Sequence, residues 1–348
     1  MKRPVVQLPA QVWQRARSLV ETSPVADAHG HPQAVVPRPL RRLAETVARV
    51  PHDPLETLVT GGINLAVITA VGDAMATAGR PRSALDTVYR QLAATRREAF
   101  TARLPITTTV AGIGADTGTQ VLLGIEGGDV IGDDPECLSR LYDVGVRLIG
   151  LVHYADNNLG TISTSVTGRR GSGGVRSGTR PAGLTGLGVE IVGEMNSLSI
   201  AIDLAHADRA TTLAVCETTS KPLISSHTGA ASVRDFPRYI ADVEIEAIAG
   251  TGGVIGLWPA RIGSMAMSDL DDFAQHACHL AECVGIEHIC IGTDKNGVTA
   301  YAEGYRNSDD FVSLAAALLY TGFGESDVAQ ILGANLLRVL TDILQSHP

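Results

Sequence analysis

Histidine and carboxylate residues close a series of short apolar runs in this chain: His29, His31, Glu126, His153, His206, His227 and Asp294. Imidazole nitrogens and carboxylate oxygens are the donors that zinc-class cations take. In Asp27-Ala28-His29-Gly30-His31 the two histidines are two residues apart. On an extended backbone both rings then point the same way and can reach one ion. Asp27 shares that parity and reads either as a hydrogen-bond acceptor behind the ligands or as a buried structural carboxylate. Glu126 is followed by Gly127-Gly128, which leaves room for ions to approach. Its two oxygens can bridge two cations, which a neutral imidazole cannot do. With His29 and His31 on one ion, His206 and His227 on the other and Glu126 between them, the set would form a two-metal site. Such a centre supports hydrolysis by a bridging hydroxide and polarises a carbonyl. Asp294 then serves as the proton shuttle to the leaving group.

These residues need a scaffold that brings distant parts of the chain to one point. Runs rich in Val, Ile and Leu alternate with longer helical patterns, which is the signature of repeated βα units. Strands are expected at 25–29, 63–70, 120–125, 147–153, 199–205, 222–226, 253–257 and 288–292. Helices are expected at 9–20, 82–101, 135–144, 188–196, 207–217, 243–249, 267–284 and 309–319. A final pair, 326–332 and 334–345, is expected to cover the barrel exterior. Eight strands are what a closed (β/α)8 TIM barrel needs, and in that fold catalytic groups come from the carboxyl ends of strands. Trp258, at the end of the seventh run, is expected either to line the substrate pocket or to be an ordinary rim aromatic.

Composition agrees with one large α/β domain. The 348 residues are 45% hydrophobic with 37 glycines and 4% aromatics, and α/β barrels commonly exceed 250 residues as one unit. The expected division is an amino-terminal helix within 1–22, then the barrel and its covering helices over 23–348. A net charge of −9 argues against nucleic-acid partners, because phosphates would be repelled. No apolar run reaches the roughly 18 residues of a membrane span, and the first residues lack a signal-peptide core. Five scattered cysteines without CxxC spacing read as free thiols, and the chain is expected in the cytoplasm. Residues 168–180 are basic and glycine-rich, either a surface loop or a lid whose arginines meet an anion. His276, Cys278 and His279 fall in a helical pattern without a partner pair, so they are not read as a zinc site.

Several blocks match a known family in order and spacing. They are GIEGG at 124–128, Gly183-Leu184-Thr185 with Gly186-Leu187-Gly188, EMNSLSIAIDLAHA at 194–207, PLISSHTGA at 222–230, HICIGTDKNGV at 288–298 and GANLLRVL at 333–340. The chain resembles the membrane (renal-type) dipeptidases, peptidase family M19, of the metal-dependent amidohydrolase group, from about Val25 to Leu340. The resemblance implies a zinc-dependent hydrolase of a dipeptide or similar small amide. Glu126 would bridge two zinc ions, with His206 and His227 on one and His29 on the other. His153 matches the histidine that contacts substrate, and Asp294 the acid near the bridging water. Arg234, in Val233-Arg234-Asp235-Phe236-Pro237, matches the arginine that receives the substrate carboxylate. Homodimers are common in the family and are implied here too.

Two departures bear on the substrate. The family motif H-x-D carries His31 here in place of the aspartate, which keeps a ligand but removes a negative charge. The usual D-F-D-G reads Asp294-Lys295-Asn296-Gly297, and Lys295 is expected to bring a cation to the site rim. An amidohydrolase acting on a cyclic amide, β-lactam or lactone is the other enzyme reading. A barrel that binds without turnover is the non-enzyme one.

Overall fold

The computed structural model describes residues 8–33, 53–73, 81–163 and 182–345. The glycine-rich segment 168–180, read from the sequence as either a surface loop or a lid, lies outside the described residues.

Nine strands form one sheet: β1 (Ala26–Gly30), β2 (Leu65–Val71), β3 (Ile106–Thr107), β4 (Gln120–Glu126), β5 (Val146–Gly150), β6 (Ala201–Asp203), β7 (Ile224–Thr228), β8 (Val254–Leu257) and β9 (Ile289–Ile291). Every pairing is parallel, in the order β1-β2-β4-β5-β6-β7-β8-β9, with two-residue β3 added beside β4. The ends of this series meet: His31 donates its backbone N–H to the Lys295 carbonyl at 2.7 Å and Asp294 donates to the His29 carbonyl at 3.0 Å. The result is a nearly closed barrel of eight parallel strands. All eight expected runs are strands; β3 is too short to leave a periodic trace.

Between the strands run α1 (Ala10–Thr22), α2 (Glu56–Thr60), α3 (Pro81–Thr101), α4 (Glu136–Asp143), α5 (Gly186–Ser197), α6 (Arg209–Thr218), α7 (Asp242–Gly250), α8 (Leu270–Val284), α9 (Phe311–Thr321), α10 (Glu325–Ala329) and α11 (Asn335–Leu344). Side chains cap several of them at their amino ends, as the free N–H groups there require. Thr185 accepts from Gly188, Asp208 from Thr211, and Asp269 from both Asp271 and Asp272. Among the described residues no helix is long and apolar enough to cross a membrane.

Alternation along the strands divides the molecule into two apolar layers. Outward residues such as Ile68, Leu123, Ile149, Ile202 and Ile255 pack beneath the helices in one cluster. Leu65, Val67, Leu122, Leu148, Ala201, Ile224, Val254 and Cys290 form a second cluster with Leu336, Val339, Leu340 and Ile343 of α11. Helix α11 therefore closes the amino-terminal end of the barrel, and does not lie on its flank as the sequence pattern suggested. A π-helical turn, Gln330–Ala334, joins it to α10. There Gly333 passes so close to β1 that a Cβ would stand 2.4 Å from the Pro24 carbonyl oxygen.

Filling one end leaves the other free for polar groups. The parity that places Leu122 in the lower layer carries Glu126, four residues later, to the carboxyl mouth. In β1 the pairing with β2 slips between Asp27 and Gly30, an irregularity of the kind that re-aims side chains. His29 and His31 enter the site from this irregular stretch instead of from a regular strand.

Gly256 and Gly292 set the spacing of the mouth at β7. A Cβ on either would fall 1.8 Å from the Ser226 carbonyl oxygen. Gly256→Ala must push β8 off β7, and overpacking of this sort costs about 1–3 kcal/mol. A lowered melting temperature by calorimetry, with loss of bound metal, is the expected result.

Candidate metal centre

The site is assembled from the ends of the barrel strands. His29 belongs to β1 and His31 follows it directly; Glu126 ends β4; His227 lies within β7. His153, His206 and Asp294 each stand three residues beyond a strand. Two of these adopt left-handed backbone, His206 at φ 72° and Asp294 at φ 54°. That conformation costs a non-glycine residue about 1 kcal/mol or more and gathers where function needs it. At β6 it lets the chain turn sharply, so that His206 faces inward just before Asp208 caps α6.

Glu126 is the centre of the group. Its Oε1 lies 3.0 Å from His206 Nε2, 3.4 Å from His29 Nε2 and 3.6 Å from His227 Nε2. Its Oε2 lies 3.3 Å from both His31 Nε2 and His153 Nε2. Asp294 Oδ1 approaches His31 Nε2 at 3.6 Å. All of these residues are buried.

The far nitrogens of the rings are occupied in ways that free the near ones. His31 Nδ1 lies 3.2 Å from the Thr69 carbonyl oxygen, which accepts a proton and never donates one. Nδ1 therefore carries the hydrogen, and Nε2 presents its lone pair to the mouth. Ser226 donates its hydroxyl to Asp203 Oδ2 at 2.5 Å and is then an acceptor, 2.8 Å from His227 Nδ1 and 3.3 Å from His29 Nδ1. One serine and one buried aspartate thus orient two histidines. Asp27 sits behind them, accepting the Thr293 N–H at 2.9 Å and hydroxyl at 2.6 Å, with the His29 N–H at 3.3 Å. Burial pushes its carboxyl up to about 6. Of the two readings of Asp27, the structure selects the one in which it joins β1 to β9.

Electrostatics favour a cation. Burial opposes charge on Glu126, yet His153, His29 and His206 hold it well below the usual carboxylate range. Burial, with Arg238 nearby, drives His206 and His227 well below the ordinary imidazole value, so both are neutral donors. His29 is different. Burial works against its charge, but Glu126, Asp294 and Asp203 together raise it to about 9. The carboxylates, left with the chain's own groups, draw a proton onto His29; a bound metal ion would supply that positive charge instead. Three sets of ligand atoms lie within 4.8 Å of one another: His29, His31 and Asp294; His29, Glu126 and His227; Glu126, His153 and His206. Neutral imidazoles, an ionised carboxylate shared between sets and oriented rings fit divalent metal.

Other expected residues fall in varied places. Trp258 is buried directly after β8, its ring 5.6 Å from that of His227. Arg234 does not face the cluster with a free guanidinium, because its Nη2 pairs with Asp272 Oδ2 at 2.6 Å. Four residues on, Arg238 is buried beside the site, 5.4 Å from the Trp258 ring, and among the described residues its Nε and Nη2 make no hydrogen bond. Lys295 brings no charge to the rim, contrary to expectation. Its ammonium is buried in an ion pair with Asp53 and donates to Thr57 at 2.9 Å. Sequence reasoning also missed Asp73, just past β2, whose Oδ2 lies 2.7 Å from His153 Nδ1. The signal was present, since Asp73 follows a strand end like the other site residues. His276 is no metal ligand here; its Nδ1 accepts the Ala230 N–H at 2.9 Å.

A parallel barrel with buried imidazoles and carboxylates converging at its carboxyl mouth is an arrangement that could hold divalent metal. The chain belongs to the membrane dipeptidase family, peptidase family M19, whose sequence profile matches residues 13–347. It is 34% identical to the dipeptidase VerJ of Clonostachys rogersoniana over 223 residues, which is 64% of this chain and 55% of that protein. The chain spans about half the length of the curated relatives it matches. Among solved structures it resembles a probable dipeptidase, PvdM, of Pseudomonas aeruginosa, with a TM-score of 0.81, 18% identity and 97% and 100% of the two chains covered. A metallopeptidase of Rhodobacter sphaeroides, solved with a phosphinate mimic of the dipeptide L-Ala-D-Ala, gives a TM-score of 0.74 at 20% identity, covering 92% and 99%. At these identities the likeness is one of fold.

Two substitutions test the centre. His31→Ala should lower metal content, measured by elemental analysis, by up to one equivalent while the far-ultraviolet dichroism stays unchanged; full occupancy would remove His31 from the ligands. Ser226→Ala should weaken metal affinity about 10–100-fold, the usual effect of losing an orienting partner, as read by chelator competition.

Proposed function

We propose that this protein is a zinc-dependent hydrolase of a dipeptide or similar small amide bearing a free carboxylate. One observation carries the reading. A donor set suited to two cations, shared through Glu126, stands beside a buried arginine whose Nε and Nη2 have no hydrogen-bond partner among the described residues. The family membership and the name of the dipeptidase relative agree with it.

His29, His31, Glu126, His206 and His227 would hold two zinc ions. When bound, zinc acidifies water near neutrality and polarises a carbonyl. The chain's own residues do the rest. Arg238 receives the substrate carboxylate, since a buried guanidinium with unsatisfied donors gains most from an anion that arrives desolvated. This assigns to Arg238 the role that the resemblance gave to Arg234, whose charge is matched by Asp272. His153, kept with its Nδ1 towards Asp73, presents Nε2 to the cluster. With a hydrogen on each ring nitrogen, that on Nδ1 facing Asp73, it can donate from Nε2 to the oxygen that gains charge as the carbonyl becomes tetrahedral. Asp294 takes the proton of the attacking water and returns it to the leaving nitrogen. Burial raises its carboxyl above the usual range, which suits a group that must carry a proton. Trp258, against both His227 and Arg238, forms the pocket wall.

The arginines separate this reading from hydrolysis of a cyclic amide or lactone without a carboxylate. On a panel of dipeptides, Arg238→Ala should cut kcat/KM by about 2–5 kcal/mol of transition-state stabilisation. Arg234→Ala should change it far less. Equal, small effects of both, with cleavage of an amide lacking a carboxylate, would remove the peptidase assignment. Asp294→Asn should lower kcat about 10²–10⁴-fold, the range for loss of a general acid–base, with substrate affinity retained in direct binding measurements.

A further inference from the structure

A second group of ligand atoms lies away from the mouth, between two helices outside the barrel. His279 and Cys283 are four residues apart on α8, and so lie one above the other on a single helix face. Asp242, the first residue of α7, meets them from the neighbouring helix. Asp242 Oδ1 is 2.8 Å from His279 Nε2, and Cys283 Sγ is 3.4 Å from the same nitrogen. The three ligand atoms all lie within 4.8 Å of one another.

That both partners face one nitrogen decides what the group can do. A thiol–imidazole–carboxylate relay needs both ring nitrogens, one turned to the nucleophile and the other to the acid. Here no proton can be passed through the ring from thiol to carboxylate. Three donor atoms converging on one small volume are instead what a coordinated cation requires. Ser232 donates its hydroxyl to both oxygens of Asp242, at 2.9 and 3.0 Å, in the way that outer partners fix a ligating carboxylate. Glu246 and Glu282 add negative charge around the thiol. All three ligands are part-exposed, which gives an ion a path from solvent.

We propose that Asp242, His279 and Cys283 form a second metal site, on the outer face of the barrel, for a zinc-class divalent cation. Nitrogen, sulfur and oxygen donors together suit a borderline-soft ion that accepts four-fold coordination, with water in the fourth position. On binding, the Cys283 S–H bond breaks, a sulfur–metal bond forms and the proton leaves to solvent. The ion would tie α7 to α8. The site shares no ligand with the centre at the mouth.

Cobalt(II) loaded into the purified protein tests this directly. A thiolate on cobalt gives an intense near-ultraviolet charge-transfer band, and no cysteine is among the ligands assigned at the mouth. The band should titrate to one equivalent in the wild type and vanish in Cys283→Ser. His279→Ala should weaken cobalt binding at this site at least ~10-fold, as expected for loss of a ligand. Zinc content should fall by one equivalent in Cys283→Ser with hydrolysis of dipeptides unchanged. Absence of the band in the wild type, or its survival in Cys283→Ser, overturns the proposal. Band and stoichiometry are read without substrate, so failure of the hydrolase reading leaves this result independent.

Discussion

Five imidazole nitrogens lie within 3.6 Å of the Glu126 carboxylate, and that convergence is the constraint around which the rest is arranged. A carboxylate taken out of water is costly unless charge and hydrogen bonds replace its hydration. The histidines meet this only by holding a proton on buried His29, while burial drives His206 and His227 neutral. Divalent cations resolve both demands, since they accept lone pairs from neutral rings and balance the acid. The buried polar mouth is thus poorly suited to the chain alone and well suited to metal.

Holding that arrangement needs rigidity below and orientation behind. The lower barrel is apolar and sealed by α11, so packing fixes the strand positions independently of the polar contacts at the mouth. Behind the ligands, Ser226 and Asp203 serve two histidines at once, and Thr69 serves a third. The Ser226 carbonyl is in turn boxed in by Gly256 and Gly292. Substituting either glycine would therefore disturb the candidate ligand His227 through the backbone of β7, with no candidate ligand replaced. The left-handed conformations of His206 and Asp294 have the same logic: local strain is held by a well-packed frame.

Much of this was legible in the sequence because parallel strands buried on both faces leave continuous apolar runs. All eight barrel strands, and the candidate residues at their ends, follow from that pattern. What escaped depends on where side chains turn after leaving an element. The slip in β1 is invisible to a rule of strict alternation. Helix α11 has an ordinary amphipathic pattern, and nothing in it says whether it covers a flank or an end. Asp73 was overlooked because the second strand had no histidine to draw notice, although its position follows the same strand-end rule. Thr69 and Ser226 carry no metal-type signature and matter only through the rings they touch.

The two arginines and Lys295 show the limit most clearly. Arg234 and Arg238 lie on one loop, and their neighbours in sequence give no reason to prefer either. What distinguishes them is the counter-charge each finds: Asp272 meets Arg234, while Arg238 lies buried with two nitrogens unsatisfied among the described residues. Lys295 follows the same principle in reverse. Beside Asp294 in sequence, its ammonium at the mouth would oppose the binding of a metal ion there by like charge. Its side chain is instead drawn into a buried pair with Asp53, supported by Thr57 and Ser308. The chain departs from its family at this position without placing charge at the mouth. The departure that does reach the centre is His31, whose Nε2 stands 3.3 Å from Glu126. Any shift in metal preference or substrate relative to the family is therefore more naturally sought at β1 than at β9.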